Sequence, residues 1–328
     1  MIRPFSSASG SALGPGPEFD RIRKIARVLG DRAHGLGDDC ALLPDGDGAL
    51  ALSTDVSVED VHFRLDWIGP AEVGWRATAA ALSDLAAEGA APIGVLSAVT
   101  VPDRAPEHDL VALSGGIGDA AASVGAVVIG GDLSAGPGWS VAVTVIGRAA
   151  RPVTRAGASP GDGIWVTGAL GGARAAIEAW RRGESPATDA RQAFAHPEPR
   201  IAAGLWLAAH GAKAMLDLSD GLAGDAGHLA AASEVRIDLA LEMAPVAAAA
   251  IAEAKRLDLP VQQFAAEAGE DYELLVALPG DFRATDVREF EAACRIAITR
   301  VGTVKRGGGV RAELAGRPLT LRGYDHFR

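Results

Sequence analysis

The chain has 328 residues, enough for two ordinary domains, and 48% of them are hydrophobic, which excludes a disordered protein. Its formal net charge of −11 would repel nucleic acid and anionic membranes, so neither is an expected partner. No apolar run approaches the roughly 18 residues that a membrane helix needs. Cys40 and Cys294 lie far apart, which argues against a disulfide framework or a zinc site. A reducing cytoplasm is therefore the expected location.

The N-terminal half has a mixed helix and strand pattern. Residues 1–17 are rich in Ser, Gly and Pro and lack the apolar segment of a secretory signal, so we expect a flexible tail. After this tail, hydrophobic periodicity predicts helices over 18–29, 71–88 and 110–124 and strands within 35–44, 49–56, 93–101, 127–129 and 141–146. The glycine-rich stretch 130–138 is predicted to be a loop.

A Pro, Gly and Arg-rich stretch at 148–160 predicts a boundary between two domains, 18–150 and 151–328. The second half repeats the α/β rhythm, with expected strands at 164–167, 214–218, 237–241, 272–278 and 298–304, and helices at 173–182 and from about Gly221. The segment GGGVRAEL near Gly307 is interpreted as a hairpin turn. The expected fold class is α/β (α+β) in two domains.

Aspartates beside small residues recur where the predicted elements begin or end. They are Asp38, Asp39, Asp55, Asp84, Asp132, Asp217 and Asp220. Their apolar flanks would draw the carboxylates toward the interior, and few basic residues are near them in sequence, so Mg²⁺ or Mn²⁺ is a natural partner. The alternative is that each is a helix cap or turn residue, most credibly Asp220 before Gly221. The pattern predicts a metal site without showing which carboxylates converge.

Common nucleotide-binding motifs are missing from the sequence. There is no GxxxxGK[ST] phosphate loop and no HRD and DFG pair. The Gly-Gly-Asp at 130–132 would allow backbone amides to approach a phosphate, but glycine-rich turns are common and this signal alone is weak.

Eight segments, taken in order, resemble the thiamine-monophosphate kinase family: GLGDDCALL, STDVSVEDVHF, LSDLAAEGAAP, GGD, TRAGASPGD, LDLSDGL, GEDYEL and GYDHF. SDGL is shared with a wider superfamily that includes aminoimidazole ribonucleotide synthetase, whereas the combination with VHF, GEDYEL and GYDHF is more specific. The resemblance implies an aminoimidazole ribonucleotide synthetase-like fold with ATP in the cleft between two α/β domains. It also implies Mg²⁺-assisted transfer of a phosphoryl group from ATP to thiamine monophosphate, and a homodimer formed through the N-terminal domain.

The resemblance also implies three sets of contacts. Several Mg²⁺ ions would be held by Asp39, Ser53, Thr54, Asp55, Asp84, Asp132, Asp217 and Asp220. ATP would contact Gly131, Arg155 and Ser219. Thiamine monophosphate would contact His62, Glu270 and Tyr324. No dedicated general base is expected, because the acceptor phosphate is already ionised at neutral pH and transfer depends on positioning and charge neutralisation.

Several of these residues have structural alternatives. The position of His62 beside Phe63 is also typical of a structural histidine. The position of Glu270 is also typical of a surface charge before a strand. The alternative role of Tyr324 is to hold the C-terminus against the core, and that of Arg155 is to donate hydrogen bonds to backbone carbonyls of a linker.

The sequence departs from the family pattern at two places and leaves rival functions open. Asp60 stands where the family is expected to have Gly, and Leu133-Ser134 where Thr-Thr is usual. One rival is another ATP-dependent enzyme of the superfamily, above all aminoimidazole ribonucleotide synthetase. The other rival is a nucleotide-binding protein without catalysis, which the full set of acidic positions disfavours.

Overall fold

The computed structural model describes residues 14–29 and 36–321. Its helices are α1 Pro17–Leu29, α2 Pro70–Ala87, α3 Glu107–Ser123, α4 Gly172–Arg181, α5 Thr188–Ala195, α6 Ile201–Ala209, α7 Leu222–Ala232, α8 Ala248–Arg256, α9 Val261–Ala266 and α10 Ala284–Cys294. Its strands are β1 Ala41–Asp45, β2 Gly48–Val58, β3 Ala91–Pro102, β4 Val127–Gly136, β5 Ser140–Ala149, β6 Gly163–Thr167, β7 Ala214–Asp217, β8 Arg236–Ala240, β9 Leu274–Leu278, β10 Ile298–Lys305, β11 Gly309–Leu314 and β12 Arg317–Leu319.

The N-terminal strands form a five-stranded sheet in the order β1-β2-β5-β3-β4. Neighbouring strands are antiparallel except β3 and β4, which run parallel. In β5, Val141, Val143 and Val145 alternate with half-buried residues and are fully buried, as expected for a strand with one face on the core. Helices α2 and α3 pack against each other, and α2 contacts both β2 and β5.

The C-terminal strands form a seven-stranded sheet in the order β12-β11-β8-β10-β6-β9-β7. Every residue of β6, β7 and β9 is buried, so these strands are covered on both faces. This explains why they are short continuous apolar runs in the sequence. The expected α/β fold in two parts is confirmed.

Helix α2 lies between the two sheets. Thirteen of its eighteen residues are buried, and it contacts β2, β5, β7 and α6. Its small residues permit close packing: at Gly204 of α6, an added Cβ would lie 2.0 Å from the carbonyl oxygen of Ala86. The Trp75 indole also donates a 3.0 Å hydrogen bond to the Pro197 carbonyl. The helix therefore ties the N-terminal sheet to the C-terminal elements.

The prediction of a loop over 130–138 is wrong for most of its length. Strand β4 continues from Val127 to Gly136 and pairs in parallel with β3. A register shift between Val95 and Leu96 leaves Ile129 as a bulged residue. Gly131 is needed because a Cβ there would lie 2.0 Å from the carbonyl oxygen of Ser97. Pairing with β3 overrides the turn-forming tendency of the glycines.

The hairpin prediction near Gly307 is also wrong. Strands β10 and β11 do not pair with each other over the described residues; β10 is antiparallel to β8, and β11 is parallel to β8. The tight hairpin follows instead between β11 and β12, where Ala315 and Gly316 both have positive φ, as a two-residue type I′ turn requires.

Candidate functional site

Three carboxylates from separate elements meet between the two sheets. Asp39 precedes β1, Asp84 lies in the last turn of α2, and Asp217 ends β7. One ligand atom from each lies within 4.8 Å of the other two. Asp39 and Asp217 are buried, at 7% and 4% exposure. The structure therefore brings together acids that are far apart in the sequence, and their separation suits a shared cation.

Strand β2 supplies further oxygen atoms beside Asp84. The Ser53 hydroxyl donates a hydrogen bond to the Asp84 carboxylate. Burial first and then the charge of Asp55 raise the pKa of Asp84, so Asp55 lies close enough to act on this carboxylate. Side chains alternate along a strand, so Thr54 points to the opposite face, where its hydroxyl is 2.8 Å from that of Thr144 on β5. Ser53 and Asp55 thus belong to the cluster, whereas the Thr54 side chain points away.

Two acids of this cluster, Asp84 and Asp217, resist ionisation. Burial, followed by the charge of Asp39, raises the pKa of Asp217 to about 8. Burial and then the charges of Asp55 and Asp217 raise the pKa of Asp84 well above its usual value. Buried like charges are unfavourable unless a cation neutralises them. The donor set, made of carboxylates and a hydroxyl, fits Mg²⁺ or Mn²⁺.

Arg155 closes one side of the cluster. Its Nε and Nη2 atoms donate to the two carboxylate oxygens of Asp39 at 3.2 and 2.6 Å, and its backbone amide donates to Oδ1 of Asp38 at 3.0 Å. Burial alone lowers the pKa of Arg155, but the charge of Asp39 and the hydrogen bonds more than offset this and raise it. The sequence suggested few basic neighbours for these acids, and this one comes from more than a hundred residues away.

Two further groups of possible metal ligands lie near the triad of Asp39, Asp84 and Asp217. Asp38, Asp39 and Glu88 form one, and Asp220, Asp225 and His228 form the other. Burial, with smaller effects from Asp220 and Asp217, raises the pKa of Asp225 well above its usual value. The sequence analysis had not selected Glu88, Asp225 or His228. The three-residue spacing of Asp225 and His228 on α7, which puts them on one helix face, was an available signal.

Asp132 and Gly131 lie away from this cluster within one chain. Strand β4, which carries both, is separated from β2 by β5 and β3. Asp132 of β4 pairs with Ala98 of β3. Followed across β5, this register leads to Val56 of β2 and not to Asp55. Three strand spacings amount to about 14 Å along the sheet. Asp132 accepts a 3.4 Å hydrogen bond from Ser134, the residue at one of the two family departures.

A cavity of about 640 Å³ adjoins the carboxylates. Its lining includes His62, Ser219 and Glu270, three residues that the sequence analysis had assigned to ATP or thiamine monophosphate. Ser219 follows Asp217 by two residues, so the cavity and the acid cluster share the segment after β7. The His62 Nδ1 accepts a 3.1 Å hydrogen bond from the Val58 amide, which leaves Nε2 to carry the proton in the neutral ring.

One wall of the cavity is aromatic and basic. Trp67 lines it and stacks on Trp180, with ring centroids 5.2 Å apart and planes 6° apart. The Arg64 guanidinium lies 5.5 Å from the Trp67 ring centroid, and Arg174 also lines the cavity. Flat rings together with basic and acidic groups suit a charged aromatic ligand.

Arg76 holds Glu270, an acid that lines the cavity. It forms an ion pair with Glu270 and donates a 2.6 Å hydrogen bond to the Phe194 carbonyl. Neither Arg76 nor Trp67 was predicted from the sequence. Arg76 is a lone arginine in the otherwise Ala-rich, buried α2, and this was a signal in the sequence that could have identified it.

The loops that carry these residues have unusual backbone conformations. Glu270 and Tyr272 have φ of 69° and 51°, and their amides donate to the carbonyls of Ser219 and Leu218. The GEDYEL segment is thereby bonded to the LDLSDGL segment. Asp60 has φ of 62°, a left-handed conformation that favours glycine. This conformation explains why glycine is expected there. Tyr324 lies outside the described residues.

Comparison with known proteins agrees with this architecture. Models of the AIR synthase related protein family match the chain twice, the N-terminal domain over residues 37–149 and the C-terminal domain over 159–315. In the described part of the chain, no helix combines the length and apolar character needed to cross a membrane.

The similar proteins include kinases from several bacteria. Thiamine-monophosphate kinase of Mycobacterium tuberculosis is 37% identical over 82% of this chain and 81% of its own length. That of Escherichia coli O157:H7 is 38% identical over 94% and 95%. A solved structure of AaThiL complexed with AMPPCP and TMP superimposes with a TM-score of 0.85 at 29% identity, covering 94% of this chain and 97% of that one. The chain therefore belongs to the AIR synthase related family and, within it, to the thiamine-monophosphate kinases.

Proposed function

We propose that this protein transfers the γ-phosphoryl group of ATP to thiamine monophosphate and so forms thiamine diphosphate. The observation that carries the proposal is the carboxylate triad of Asp39, Asp84 and Asp217, two of them buried, beside a cavity lined by His62 and Glu270. Two polyanionic substrates repel each other, and a site that gathers cations next to an acceptor pocket removes that obstacle. The family membership supports the same reaction.

The metal set of the proposal is Asp39, Ser53, Thr54, Asp55, Asp84, Asp132, Asp217 and Asp220. When bound, Mg²⁺ would neutralise phosphate oxygens and align donor and acceptor. The chain's own part is to hold the ions in place and to add the fixed guanidinium of Arg155 toward ATP. Gly131 and Ser219 complete the proposed ATP contacts. The buried, mutually repelling acids described above support a cation requirement, whereas the Thr54 side chain points to the other sheet face.

His62, Glu270 and Tyr324 are the proposed contacts of thiamine monophosphate. The thiazolium ring of thiamine is a cation, and the Glu270 carboxylate would balance its charge. His62 would donate from Nε2, because Nδ1 is occupied by the Val58 amide. The Arg76 ion pair holds Glu270 at the cavity wall.

A homodimer is part of the proposal. The edge strand β4 exposes four large apolar side chains, with exposed fractions of 45% to 60%: Val127, Val128, Ile129 and Leu133. Such an edge is normally covered. A second copy packed there would cover these side chains. Sedimentation equilibrium of wild type and Leu133→Asp tests this; a wild-type monomer would refute it.

We place the protein in the cytoplasm. Cys40 and Cys294 are both free thiols in the structure, which a reducing compartment favours.

One assay separates the proposed reaction from its rivals. ADP release should depend on thiamine monophosphate, and thiamine diphosphate should appear in equal amount. ADP release that requires the precursor of aminoimidazole ribonucleotide instead would identify the ring-closing enzyme. Binding of ATP without acceptor-dependent turnover would identify a non-catalytic protein.

Transfer should be direct, because the acceptor phosphate is already a nucleophile and a phosphoenzyme would solve no chemical problem. Incubation with γ-labelled ATP and no acceptor should leave the protein unlabelled. Stoichiometric label that moves to thiamine diphosphate on addition of acceptor would overturn the direct mechanism.

A further inference from the structure

Glu88, at the C-terminal end of α2, has an unusual environment for a glutamate. It is 0% exposed, and neither side-chain oxygen accepts a hydrogen bond from any residue in the ranges that the structure describes. A fully buried glutamate is rare unless it is paired. Leaving a buried carboxylate without a partner is strongly destabilising. The polar groups that act on it include the Cys40 backbone amide and the Asp38 carboxyl, neither of which is a cation, so a bound ion would neutralise its charge.

The Glu88 side chain points toward two other acids. One oxygen each of Asp38, Asp39 and Glu88 lie within 4.8 Å of one another. The hydrogen bonds to Asp38 use its Oδ1, which accepts from the amides of Asp39 and Arg155, so Oδ2 remains available. This triad shares Asp39 with the group formed by Asp39, Asp84 and Asp217.

Arg155 does not neutralise the triad by itself. Its guanidinium bonds the carboxylate of Asp39, while only its backbone amide reaches Asp38. Three carboxylates against one guanidinium leave an excess of two negative charges when all are ionised. That excess equals the charge of one divalent ion.

We propose that Asp38, Asp39 and Glu88 bind a divalent cation, distinct from the ions of the Asp39–Asp84–Asp217 triad and sharing Asp39 with them. Carboxylate oxygens are ligands for hard divalent ions. Oxygen atoms within 4.8 Å of one another are close enough to share one such ion, with bonds of about 2.3–2.6 Å for Ca²⁺ or about 2.0–2.1 Å for Mg²⁺.

The test counts Mn²⁺ bound to nucleotide-free protein, with free Mn²⁺ measured by electron paramagnetic resonance. Wild type should bind one more Mn²⁺ per chain than Glu88→Gln, and Asp38→Asn should lose the same ion. Competition with Ca²⁺ and with Mg²⁺ then shows which ion the Glu88-dependent site prefers. The inference does not depend on the phosphotransfer proposed above, because no nucleotide or acceptor is present.

Two controls separate this site from its neighbours. Asp84→Asn should lose an ion of the other triad, and Asp84→Asn with Glu88→Gln should lose one more. Glu253→Gln alters another buried glutamate, paired with Arg182 on a different part of the fold, and should keep the wild-type number.

The alternative state is a carboxyl–carboxylate pair in which Glu88 keeps a proton, since burial and then the charge of Asp38 raise its pKa. In that case folded Glu88→Gln and Asp38→Asn both bind as many Mn²⁺ ions as wild type, and the inference is wrong. If Glu88→Gln does not fold, Asp38→Asn decides, because Asp38 is only partly buried.

Discussion

Arg155, in the segment between the two sheets, donates two hydrogen bonds to the carboxylate of Asp39, at 3.2 Å from Nε and 2.6 Å from Nη2. Asp39 precedes the first strand of the N-terminal sheet, so the ion pair joins the two sheets at the acid cluster. Both side chains are largely buried, with exposed fractions of 15% and 1%. Removing one member of a buried ion pair leaves the other charge unpaired, which costs about 3–5 kcal/mol.

Arg155→Ala should therefore lower the free energy of unfolding by about 3 kcal/mol in metal-free protein. Saturating Mg²⁺ should restore part of this loss, because a bound cation also neutralises Asp39. Denaturant unfolding with and without Mg²⁺ measures both effects. Arg191→Ala, which breaks a more exposed ion pair with Glu72, should cost less than about 1 kcal/mol and should not respond to Mg²⁺.

Stability should depend on pH in a direction set by the raised pKa of Asp217. An unfolded aspartate titrates near 4, whereas burial raises the folded value to about 8. Between these values the folded state holds a proton that the unfolded state has lost, so the free energy of unfolding falls as pH rises. Mg²⁺ competes with that proton, and its stabilising effect should be larger at pH 8 than at pH 6.

Melting temperatures at several pH values, with Mg²⁺ and with a chelator, check this expectation. Asp217→Asn should flatten the metal-free pH dependence. A larger Mg²⁺ effect at pH 6 than at pH 8 would contradict the assignment of these acids as metal ligands.

Asp55→Asn and Asp220→Asn should each lower kcat at least about a hundredfold, equivalent to about 2.7 kcal/mol, with the fold retained. Each keeps the side-chain shape but removes the charge that holds Mg²⁺. Kinetics over a Mg²⁺ titration are the measurement. Asp45→Asn, at the hairpin end of β1 where it pairs with Arg148, is the matched control and should stay near wild type. Wild-type rates for both site variants at ordinary Mg²⁺ would refute the metal assignment.

Trp67→Ala should raise KM for thiamine monophosphate about tenfold, equivalent to about 1.4 kcal/mol, while KM for ATP changes little. Trp67 stacks on Trp180 and offers an aromatic face to the acceptor cavity. Trp67→Phe retains a flat ring and should recover most of the affinity. Equal KM values for alanine and wild type would show that the acceptor does not contact this wall.

The sequence identifies acids such as Asp39 and Asp217 because each follows or precedes an apolar strand, and local patterns reveal strand ends. It does not reveal β4 beyond Ile129, because that part of the strand depends on pairing with β3 some thirty residues earlier. The same limitation explains the wrong hairpin near Gly307, where β10 and β11 both pair with the distant β8. Strand partners are a tertiary property, which local propensity does not encode.

Candidate residues on α2 were missed for a related reason. Arg76 and Glu88 occur in a helix that reads as an ordinary Ala-rich core element, and their importance follows from what lies opposite. Arg76 contacts Glu270 from the C-terminal part of the chain, and Glu88 meets Asp38 and Asp39. The three-dimensional arrangement shows that both side chains lie in the interior and which groups face them.

In the proposed reaction, helix α2 is a rigid spacer between the two substrate sites. Arg76, which holds Glu270 at the acceptor cavity, and Asp84, which belongs to the carboxylate triad, are eight residues apart on this helix, or about 12 Å along its axis. An α-helix cannot change that separation by a fraction of a turn. Inserting one residue between them would rotate Asp84 by about 100° relative to Arg76 and advance it by about 1.5 Å. The length and phase of this buried helix thus fix how far the acceptor cavity of the proposed reaction lies from the carboxylate triad.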